Sequence, residues 1–343
     1  MTVLPSVSVV VPAYNAQQTL AHTIQSLLAQ DYAGDVQVII VDDGSTDSTR
    51  KIIQSFFGVV CIGQSNAGPA AARNRGAADS KGDIILFTDS DCAAHKDWVS
   101  EIVDGFSIEK VGAVCGSYGI ANPHKILAKG IHEEILYRHR TLMKSFPRAF
   151  GSYNVGIRRE VFFEVGGFNE AYRRASGEDN DLSYKILKSG RRIYFNKAAL
   201  VDHHHTVSLK KYLKEQCRHG FWRAKMYADH PSMAGGDDYT FWKDMIEVPL
   251  AAGVVVCFGF FLAGFFSFKD FILFIIAPFF VFEFYFSNMF CDAFRTKLFF
   301  TFVMFLRSFV RSFGLSTGIF IFFVKKIVKK LNKILNAHVA MLL

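Results

Sequence analysis

Short runs of β-branched and apolar residues alternate with helix-prone segments along the N-terminal part of the chain. Each run has the composition of a strand that is buried on both faces of a sheet. Strands that alternate with helices in this way predict right-handed crossovers and a mostly parallel sheet with helices on both faces. The expected fold class is therefore α/β and Rossmann-like. The runs are Val7–Pro12, Val36–Val41, Val59–Ile62 and Ile84–Thr88.

Polar segments follow three of these strands. Tyr14-Asn15, Asp42-Asp43 and Asp89-Ser90-Asp91 each come just after a predicted strand end. Ligands of such folds bind beyond the carboxyl ends of the strands, so we expect the three segments to converge on one rim. Two carboxylates separated by one residue supply hard oxygen ligands, which Mg²⁺ and Mn²⁺ prefer and complete with water and substrate phosphates. The sequence thus predicts a site for a metal-bound diphosphate.

Three further side chains suit a nucleotide at this rim. Tyr14 can stack on a base, and the carboxylate of Asp43 can accept from a base N–H or a ribose hydroxyl. Arg73, in the small-residue segment Asn66–Asn74, can reach a base or a phosphate. Each segment also has a structural interpretation: a packed Tyr in a capped turn, a helix cap at Ser45–Asp47, and tight helix packing with a surface Arg.

Five motifs together resemble the family 2 glycosyltransferases of the GT-A fold. The resemblance covers roughly Val7–Arg223, about two-thirds of the chain, and its strength lies in the order of the motifs. The motifs are Pro-Ala-Tyr-Asn from Pro12, Val-Asp-Asp-Gly-Ser-x-Asp from Val41, Asn-x-Gly-x-x-x-Ala-Arg-Asn from Asn66, Asp-x-Asp from Asp89 and Gly-Glu-Asp-x-Asp-Leu from Gly177.

The resemblance implies a role for each matching position. It implies that a nucleotide, most often a uridine nucleotide, is held by the residues Pro12, Tyr14, Asp43 and Arg73. It implies that Asp91, together with Asp89, holds Mn²⁺ or Mg²⁺ on the diphosphate of the nucleotide sugar. His203, the first His after a short predicted strand, resembles the position that often completes the metal or diphosphate contact, and His205 is the second choice.

The resemblance also implies an inverting transfer with a single carboxylate base, and Asp179 falls on that position. A single displacement needs a base for the acceptor hydroxyl and no enzyme nucleophile. Its neighbours Glu178 and Asp181 can raise the pKa of that base. The alternative is that this acidic cluster only caps a helix predicted over Leu182–Lys188, where its charge complements the helix dipole.

The segment Gln216–Arg223 resembles the family's Gln-x-x-Arg-Trp element but departs from it. Trp222 stands four positions beyond Arg218 instead of next to it, which weakens the case for a processive polymer synthase. Arg218 and Arg223 remain candidates for diphosphate or acceptor contacts, as do Glu178 and His205 named above. The basic, aromatic helix predicted over residues 209–227 is expected at a membrane surface.

The composition changes at about Val248, where Phe, Val, Ile and Leu become dominant; many of the 36 Phe lie in this last third. The segments 248–266 and 271–290 each have about the ~20 residues that span a bilayer. A third apolar element, 298–324, is interrupted by Arg307 and Arg311.

Three simple spans would put the lysine-rich tail outside, against the positive-inside tendency. We therefore expect two regular spans and an irregular third element that returns the tail to the cytoplasmic face. Glu283, inside the second span, is expected either to face another helix or to lie protonated or near the headgroups. The predicted domains are a catalytic domain 1–230, a linker 231–247, a transmembrane region 248–324 and a basic amphipathic tail 325–343.

The formal net charge is +8, and part of it lies in a lysine cluster directly after an apolar run. Such a cluster favours anionic membrane lipids over nucleic acid as its partner. No C-x-x-C pair or secretory signal peptide is evident. We expect a multi-pass membrane protein, of the inner membrane if bacterial, with its catalytic domain in the cytoplasm. The cluster is Lys325, Lys326, Lys329, Lys330 and Lys333.

Taken together, the family resemblance and the apolar segments imply a membrane-anchored inverting glycosyltransferase. Its donor would be a nucleotide diphosphate sugar, with UDP-sugars favoured, and its acceptor a lipid-linked or cell-surface glycan. A polyprenyl-phosphate sugar synthase is the alternative, although its acceptor is already ionised and needs no strong base. A protein that only binds nucleotide sugar is disfavoured by the presence of Asp89, Asp91 and Asp179. A nucleotidyltransferase is disfavoured because no glycine- and arginine-rich N-terminal triphosphate loop is evident.

Overall fold

The computed structural model describes residues 4–173, 176–231, 235 and 240–342, with side chains as far as Val324. The chain divides into two compact units. The first extends to Val207, and the second begins at Ser208. The sequence predicted a catalytic domain that ends at residue 230. The structure instead assigns the helix that follows Ser208 to the second unit.

The first unit contains one eight-stranded sheet with the strand order β3-β2-β1-β4-β7-β6-β8-β5. The four N-terminal strands of the sequence pair in parallel, as predicted. β7 runs antiparallel to both of its neighbours, so the sheet is mixed. The strands are β1 Val7–Ala13, β2 Val36–Asp42, β3 Val59–Gly63, β4 Ile84–Thr88, β5 Cys92–Ala94, β6 Val111–Ile120, β7 Asn154–Arg158 and β8 Arg192–His203.

Helices cover both faces of this sheet. Successive side chains of a strand point to opposite sides, so a strand that is apolar throughout needs a packing partner on each face. In β1, Val9 and Val11 belong to the core on one face, and Val10 to the core on the other. The α/β, Rossmann-like fold is therefore confirmed. The helices are α1 Leu20–Leu28, α2 Thr49–Gln54, α3 Pro69–Ala78, α4 Trp98–Asp104, α5 Ile126–Thr141, α6 Arg159–Glu164 and α7 Glu178–Lys188.

Several element boundaries differ from those read from the sequence. The two short strands predicted around residues 193–202 form the single strand β8. Helix α7 begins at Glu178 and not at Leu182, so the acidic motif forms its first turn. The short strand β5 was not predicted, because three residues after a turn carry no periodic pattern. β5 pairs with β8, and this pairing shapes the site described below.

The second unit contains α8 Leu209–Asp229, α9 Trp242–Leu262, α10 Phe268–Phe271, α11 Ala277–Phe290 and α12 Phe294–Leu342. A π-helical turn over Ile272–Ile276 joins α10 to α11. Three helices are long and apolar enough to cross a membrane, over Trp242–Leu262, Phe268–Phe290 and Phe294–Val324. The prediction of an irregular third apolar element is wrong, since α12 is one continuous helix.

Helix α12 tolerates Arg307 and Arg311 because carboxylates of α9 pair with them. Arg311 donates to Asp244 Oδ1 at 3.1 Å and to Glu247 Oε1 at 2.8 Å. Arg307 Nη2 lies 3.4 Å from Glu247 Oε2. A charged side chain inside a membrane helix is costly unless it faces a partner in the bundle.

The same network of ion pairs includes Glu283, for which the sequence left two environments open. This carboxylate is fully buried and lies 2.7 Å from the Nζ atom of Lys243, which also pairs with Glu247. Glu283 thus faces another helix, as the first of the two interpretations expected. The three cations Lys243, Arg307 and Arg311 are matched by the three carboxylates Asp244, Glu247 and Glu283.

Close backbone contact attaches α8 to α12. A β-carbon at Gly314 would overlap the carbonyl oxygen of Cys217, and one at Gly318 would overlap that of Phe221. In the reverse direction, a β-carbon at Gly220 would overlap the carbonyl oxygen of Arg311. Small residues spaced four apart allow two helix backbones to approach in this way. This packing explains why the second unit begins at Ser208.

Candidate active site

The turn between β4 and β5 carries the Asp-x-Asp motif. Because Cys92 pairs in register with His203, β8 brings the imidazole of His203 beside this turn. Its Nε2 atom lies 3.4 Å from Asp91 Oδ1, and the backbone N–H of His204 donates to the Asp91 carbonyl at 2.9 Å. The structure therefore joins two predicted metal ligands that are separated by more than a hundred residues in the sequence.

The ligand atoms of Asp91, His203 and Cys92 lie within 4.8 Å of one another. A carboxylate oxygen and an imidazole nitrogen 3.4 Å apart can be adjacent ligands of one divalent ion, given metal–oxygen distances of roughly 2.0–2.6 Å. Burial, together with the charge of Asp91, raises the pKa of the Cys92 thiol well above its usual range. Because the thiolate is the form that binds metals, Cys92 is a poor ligand here. The donor set thus suits a hard cation.

Asp89 contacts Arg73. The guanidinium is only 2% exposed, and it donates from Nη2 to Asp89 Oδ1 at 2.7 Å and from Nη1 to Glu178 Oε1 at 3.1 Å. Glu178 also accepts from the Ser176 N–H at 2.7 Å. Arg73 is therefore a buried link between the Asp-x-Asp turn and the start of α7. The surface position that was the structural alternative for Arg73 is wrong.

Asp179 lies in the first turn of α7, beside this link. Its Oδ1 atom accepts from the Asn180 N–H at 2.8 Å. Burial raises the pKa of Asp179 to about 7, and the neighbouring charge of Glu178 adds to the effect. A carboxylate with a pKa near neutrality suits proton transfer at physiological pH. Asp181, the other acidic neighbour of Asp179, forms an ion pair with Lys185 at 2.8 Å.

Asp43 is buried, with 3% of its surface exposed, and its carboxylate already has three donors. Oδ1 accepts from Gln64 Nε2 at 2.7 Å and from the Ala67 N–H at 2.8 Å, while Oδ2 accepts from the Gly68 N–H at 2.9 Å. The carboxylate thus shapes the loop that leads into α3, where Gly68 adopts a φ of 97°. A contact between Asp43 and a nucleotide stays a prediction.

Tyr14 and Pro12 lie at the end of β1. Pro12 pairs in register with Val41, and the Tyr14 side chain is 48% exposed. Asn15 ties this end to the next loop, since its Oδ1 atom accepts from the Thr46 N–H at 2.8 Å. Tyr14 therefore has an exposed ring at the carboxyl edge of the sheet, where a base can stack.

A histidine cluster, which we define as His132, His203 and His205, extends from His203 away from Asp91. His203 Nδ1 is 3.0 Å from His205 Nδ1, and the rings of His132 and His205 are 5.7 Å apart. The sequence did not predict the contact between His132 and His205, because it depends on the packing of α5 beside β6.

Arg218 and Arg223 are on α8 and belong to the second unit. Arg218 lies 3.8 Å from Glu215, and Arg223 donates to the Thr240 hydroxyl at 3.2 Å. Their contacts with a diphosphate or an acceptor remain predictions.

Comparison with known proteins identifies the family of the domain that contains these residues. Residues 8–177 match the family model described as Glycosyl transferase family 2. A pre-mycofactocin glycosyltransferase of Mycobacterium tuberculosis is 29% identical over 241 residues, which cover 66% of this chain and 48% of that protein. A glucosyl-dolichyl phosphate glucuronosyltransferase of Haloferax volcanii is 28% identical over 222 residues, which cover 57% of this chain and 68% of that protein.

A solved structure shares the fold. It is a mannosyltransferase from Pyrobaculum calidifontis in complex with GDP-Man and Mn²⁺, with a TM-score of 0.52, 22% identity, and coverage of 66% of this chain and 64% of that one. The present chain spans about half the length of the mycobacterial relative, 48%. Residues 8–177 therefore form a glycosyltransferase family 2 domain, and this chain has the GT-A fold.

Proposed function

We propose that this chain is a membrane-associated inverting glycosyltransferase. It transfers one sugar from a nucleotide diphosphate sugar to a hydroxyl group of a lipid-linked or glycan acceptor, with a divalent metal ion. The observation that carries the proposal is the position of Arg73. Its buried guanidinium contacts Asp89, two residues from Asp91, and Glu178, next to Asp179. One cation therefore holds together the turn that carries a metal ligand and a carboxylate of raised pKa.

Asp179 is the general base in this proposal. Its pKa of about 7 leaves a substantial fraction ionised at neutral pH, while the carboxylate remains basic enough to take the proton of the acceptor hydroxyl. The acceptor oxygen forms a bond to the anomeric carbon as the bond from that carbon to the diphosphate oxygen breaks. The proton ends on Asp179, and the nucleoside diphosphate leaves. A single displacement of this kind inverts the configuration of the sugar.

Asp91 and His203 would hold the metal ion, and the 3.4 Å between their ligand atoms supports this assignment. When bound, a divalent ion, Mn²⁺ or Mg²⁺, neutralises the charge that develops on the leaving diphosphate. Asp89 is the weaker candidate of the motif for direct coordination, since its Oδ1 atom accepts from Arg73 at 2.7 Å. Its role would be to keep the Asp-x-Asp turn attached to α3.

The donor is proposed to be a UDP-sugar, with Tyr14 stacked on the base and Pro12 and Asp43 in the wall around it. The exposed ring of Tyr14 supports stacking. The archaeal mannosyltransferase with this fold was solved with GDP-Man, so a GDP-sugar is the first alternative to test. A lipid-linked acceptor is supported by the three helices that are long enough to cross a membrane, and by the name of the Haloferax relative.

Transfer to a lipid phosphate, as in a polyprenyl-phosphate sugar synthase, is the alternative. That acceptor is already ionised, so it requires no base. The raised pKa of Asp179 is the observation that favours a hydroxyl acceptor.

The proposal is tested by nucleotide release from a panel of UDP-, GDP- and dTDP-sugars. The full-length protein in detergent would be supplied with Mn²⁺ and a lipid extract of its native membrane, and EDTA would serve as the control. We expect release from one class of donor, which requires both the metal and the lipid. Acid hydrolysis of the product then separates a labile glycosyl phosphate from a stable glycosidic bond.

Release that persists in EDTA would contradict the metal-dependent mechanism, and an acid-labile glycosyl phosphate would favour the alternative acceptor. Failure to bind any of the donors, measured by titration, would contradict the proposal as a whole.

A further inference from the structure

Both ring nitrogens of His203 have a neighbour. Nε2 lies 3.4 Å from Asp91 Oδ1, and Nδ1 lies 3.0 Å from Nδ1 of His205. A neutral imidazole has one N–H donor and one lone pair, so the contact between the two Nδ1 atoms requires the proton to lie on one of them. The two possible arrangements have opposite consequences for the Nε2 atom of His203.

In the first arrangement, His203 carries its proton on Nδ1 and donates it to His205. Its Nε2 atom then presents a lone pair beside Asp91, as a metal ligand must. In the second arrangement, His205 donates and the proton of His203 lies on Nε2, where it points at Asp91 and blocks coordination. The partner of Nδ1 therefore decides whether His203 can bind a metal ion.

His205 is held firmly in place by the fold. Its side chain is 3% exposed. Asn122 holds its backbone from both directions, since Asn122 Oδ1 accepts from the His205 N–H at 3.1 Å and Asn122 Nδ2 donates to the His205 carbonyl at 2.7 Å. The His205 ring also packs at 5.9 Å from that of Tyr118. The backbone at His205 is therefore fixed, and its buried ring is enclosed by neighbouring side chains.

We propose that His205 is a positioning residue that selects the Nδ1–H tautomer of His203 and aims its Nε2 lone pair at the cation site beside Asp91. This inference rests on the proposed metal-dependent function. It replaces the earlier expectation that His205 itself contacts the diphosphate or the acceptor. Hydrogen-bonded partners behind a metal-binding histidine commonly set its orientation and change metal affinity by about 10–100-fold.

His132 lies on the far side of His205. In the arrangement proposed here, His205 carries its own proton on Nε2, which is buried, as is Nδ1 of His132. Neither atom has a hydrogen-bond partner within the part of the chain that the structure describes. The rings of the two histidines lie 5.7 Å apart.

Two substitutions at His205 separate positioning from packing. His205→Leu keeps a side chain of similar bulk and removes the acceptor. His205→Asn keeps an oxygen near the place of Nδ1, because the amide group is attached to the same carbon as the imidazole ring. A residue that only fills space would tolerate Leu better than the smaller, polar Asn.

Mn²⁺ binding to the full-length protein in detergent would be followed by electron paramagnetic resonance in the presence of UDP or GDP. We expect His205→Leu to weaken Mn²⁺ binding by about 10–100-fold. His205→Asn should restore most of the affinity. The double variant His203→Ala/His205→Leu should bind no more weakly than His203→Ala alone, since His205 acts only through His203.

Nuclear magnetic resonance of the ¹⁵N-histidine-labelled protein with diamagnetic Mg²⁺ and nucleotide gives a second readout. We expect the His203 signal, assigned from its loss in His203→Ala, to have the pattern of a ring protonated at Nδ1. This measurement uses the wild-type protein, so it stands even if a variant at His205 does not fold.

The outcomes separate this inference from the proposed function. Wild-type protein that binds no Mn²⁺ with either nucleotide would overturn both. Loss of binding in His203→Ala, with full affinity in a folded His205→Leu, would overturn the role of His205 alone. A His203 ring protonated at Nε2 in the Mg²⁺ complex would overturn it as well.

Discussion

Arg73 and Glu178 form a buried ion pair across 105 residues of sequence, with Nη1 of the guanidinium 3.1 Å from Oε1 of the carboxylate. The second nitrogen of the same guanidinium binds Asp89 at 2.7 Å. Because all three groups belong to different parts of the chain, this link determines how the Asp-x-Asp turn and the first turn of α7 sit relative to one another.

We expect Arg73→Gln to lower the free energy of unfolding by about 3–5 kcal/mol, because it leaves the buried carboxylate of Glu178 and the half-buried carboxylate of Asp89 without their cation. Arg73→Lys should recover little, since an ammonium group cannot reproduce the two-pronged contact. The measurement is chemical denaturation of the detergent-solubilised protein.

Arg75→Gln is the matched control for this prediction. Arg75 is on the same helix, and its pair with Asp79 at 3.4 Å is exposed. Exposed pairs contribute about 0–1 kcal/mol, so this variant should unfold almost as the wild type does. Equal effects of the two substitutions would contradict the role assigned to Arg73.

The rate of transfer should depend on the ionisation of Asp179. A base must be deprotonated to act, so kcat/KM should rise with pH through an apparent pKa of about 7 and level off above it. Asp179→Asn should lower kcat by about 10²–10⁴-fold while donor binding is retained.

The control for this experiment is Asp79→Asn, which makes the same chemical change at an exposed position just after α3. It should keep both the wild-type rate and the wild-type pH profile. A profile that is flat between pH 5 and 9 in the wild type, or near-normal turnover in Asp179→Asn, would show that another group is the base.

Metal-dependent donor binding should require Asp91. We expect Asp91→Asn to abolish the increase in donor affinity that Mn²⁺ produces, because an amide lacks the negative charge that a hard cation prefers. The binding that remains in EDTA should be unchanged. Calorimetric titration with and without Mn²⁺ measures both quantities.

Asp97→Asn provides the comparison, since Asp97 is an exposed residue just before α4 and has no side-chain hydrogen bond as the cap of that helix. Its response to Mn²⁺ should equal that of the wild type. An undiminished Mn²⁺ effect in Asp91→Asn would remove Asp91 from the metal site.

Alanine should have opposite effects at two glycines of the second unit. Gly314→Ala should destabilise the protein, because the added β-carbon would overlap the Cys217 carbonyl oxygen at the contact of α8 with α12. Gly259→Ala should be neutral or stabilising, by up to about 1 kcal/mol, because Ala favours the helix and, among the described residues beyond its own stretch of helix, none has an atom within 4 Å of the added β-carbon.

Thermal unfolding in detergent compares the two variants under the same conditions. A rise in Tm for Gly314→Ala would show that α8 and α12 do not approach as closely as the structure indicates.

The sequence by itself determined the class of fold and the position of the site along it. Runs such as Val7–Pro12 are apolar because both faces of the strand are buried, and this local property is visible without a structure. The same holds for the polar residues at the strand ends, such as Asp91, and for the apolar helices predicted from about Val248 onward. Hydrophobic periodicity and strand ends are properties of neighbouring residues.

The tertiary structure decided which of these side chains meet. The pair Asp91–His203 depends on the register of β5 with β8, and the burial of Arg73 depends on carboxylates that come from two other segments. The position of α8 beside α12 depends on glycines almost a hundred residues away, at Gly314 and Gly318. Such contacts arise from strand order and helix packing. A local sequence pattern does not encode these, because the same pattern is compatible with several strand orders and several ways of packing the helices.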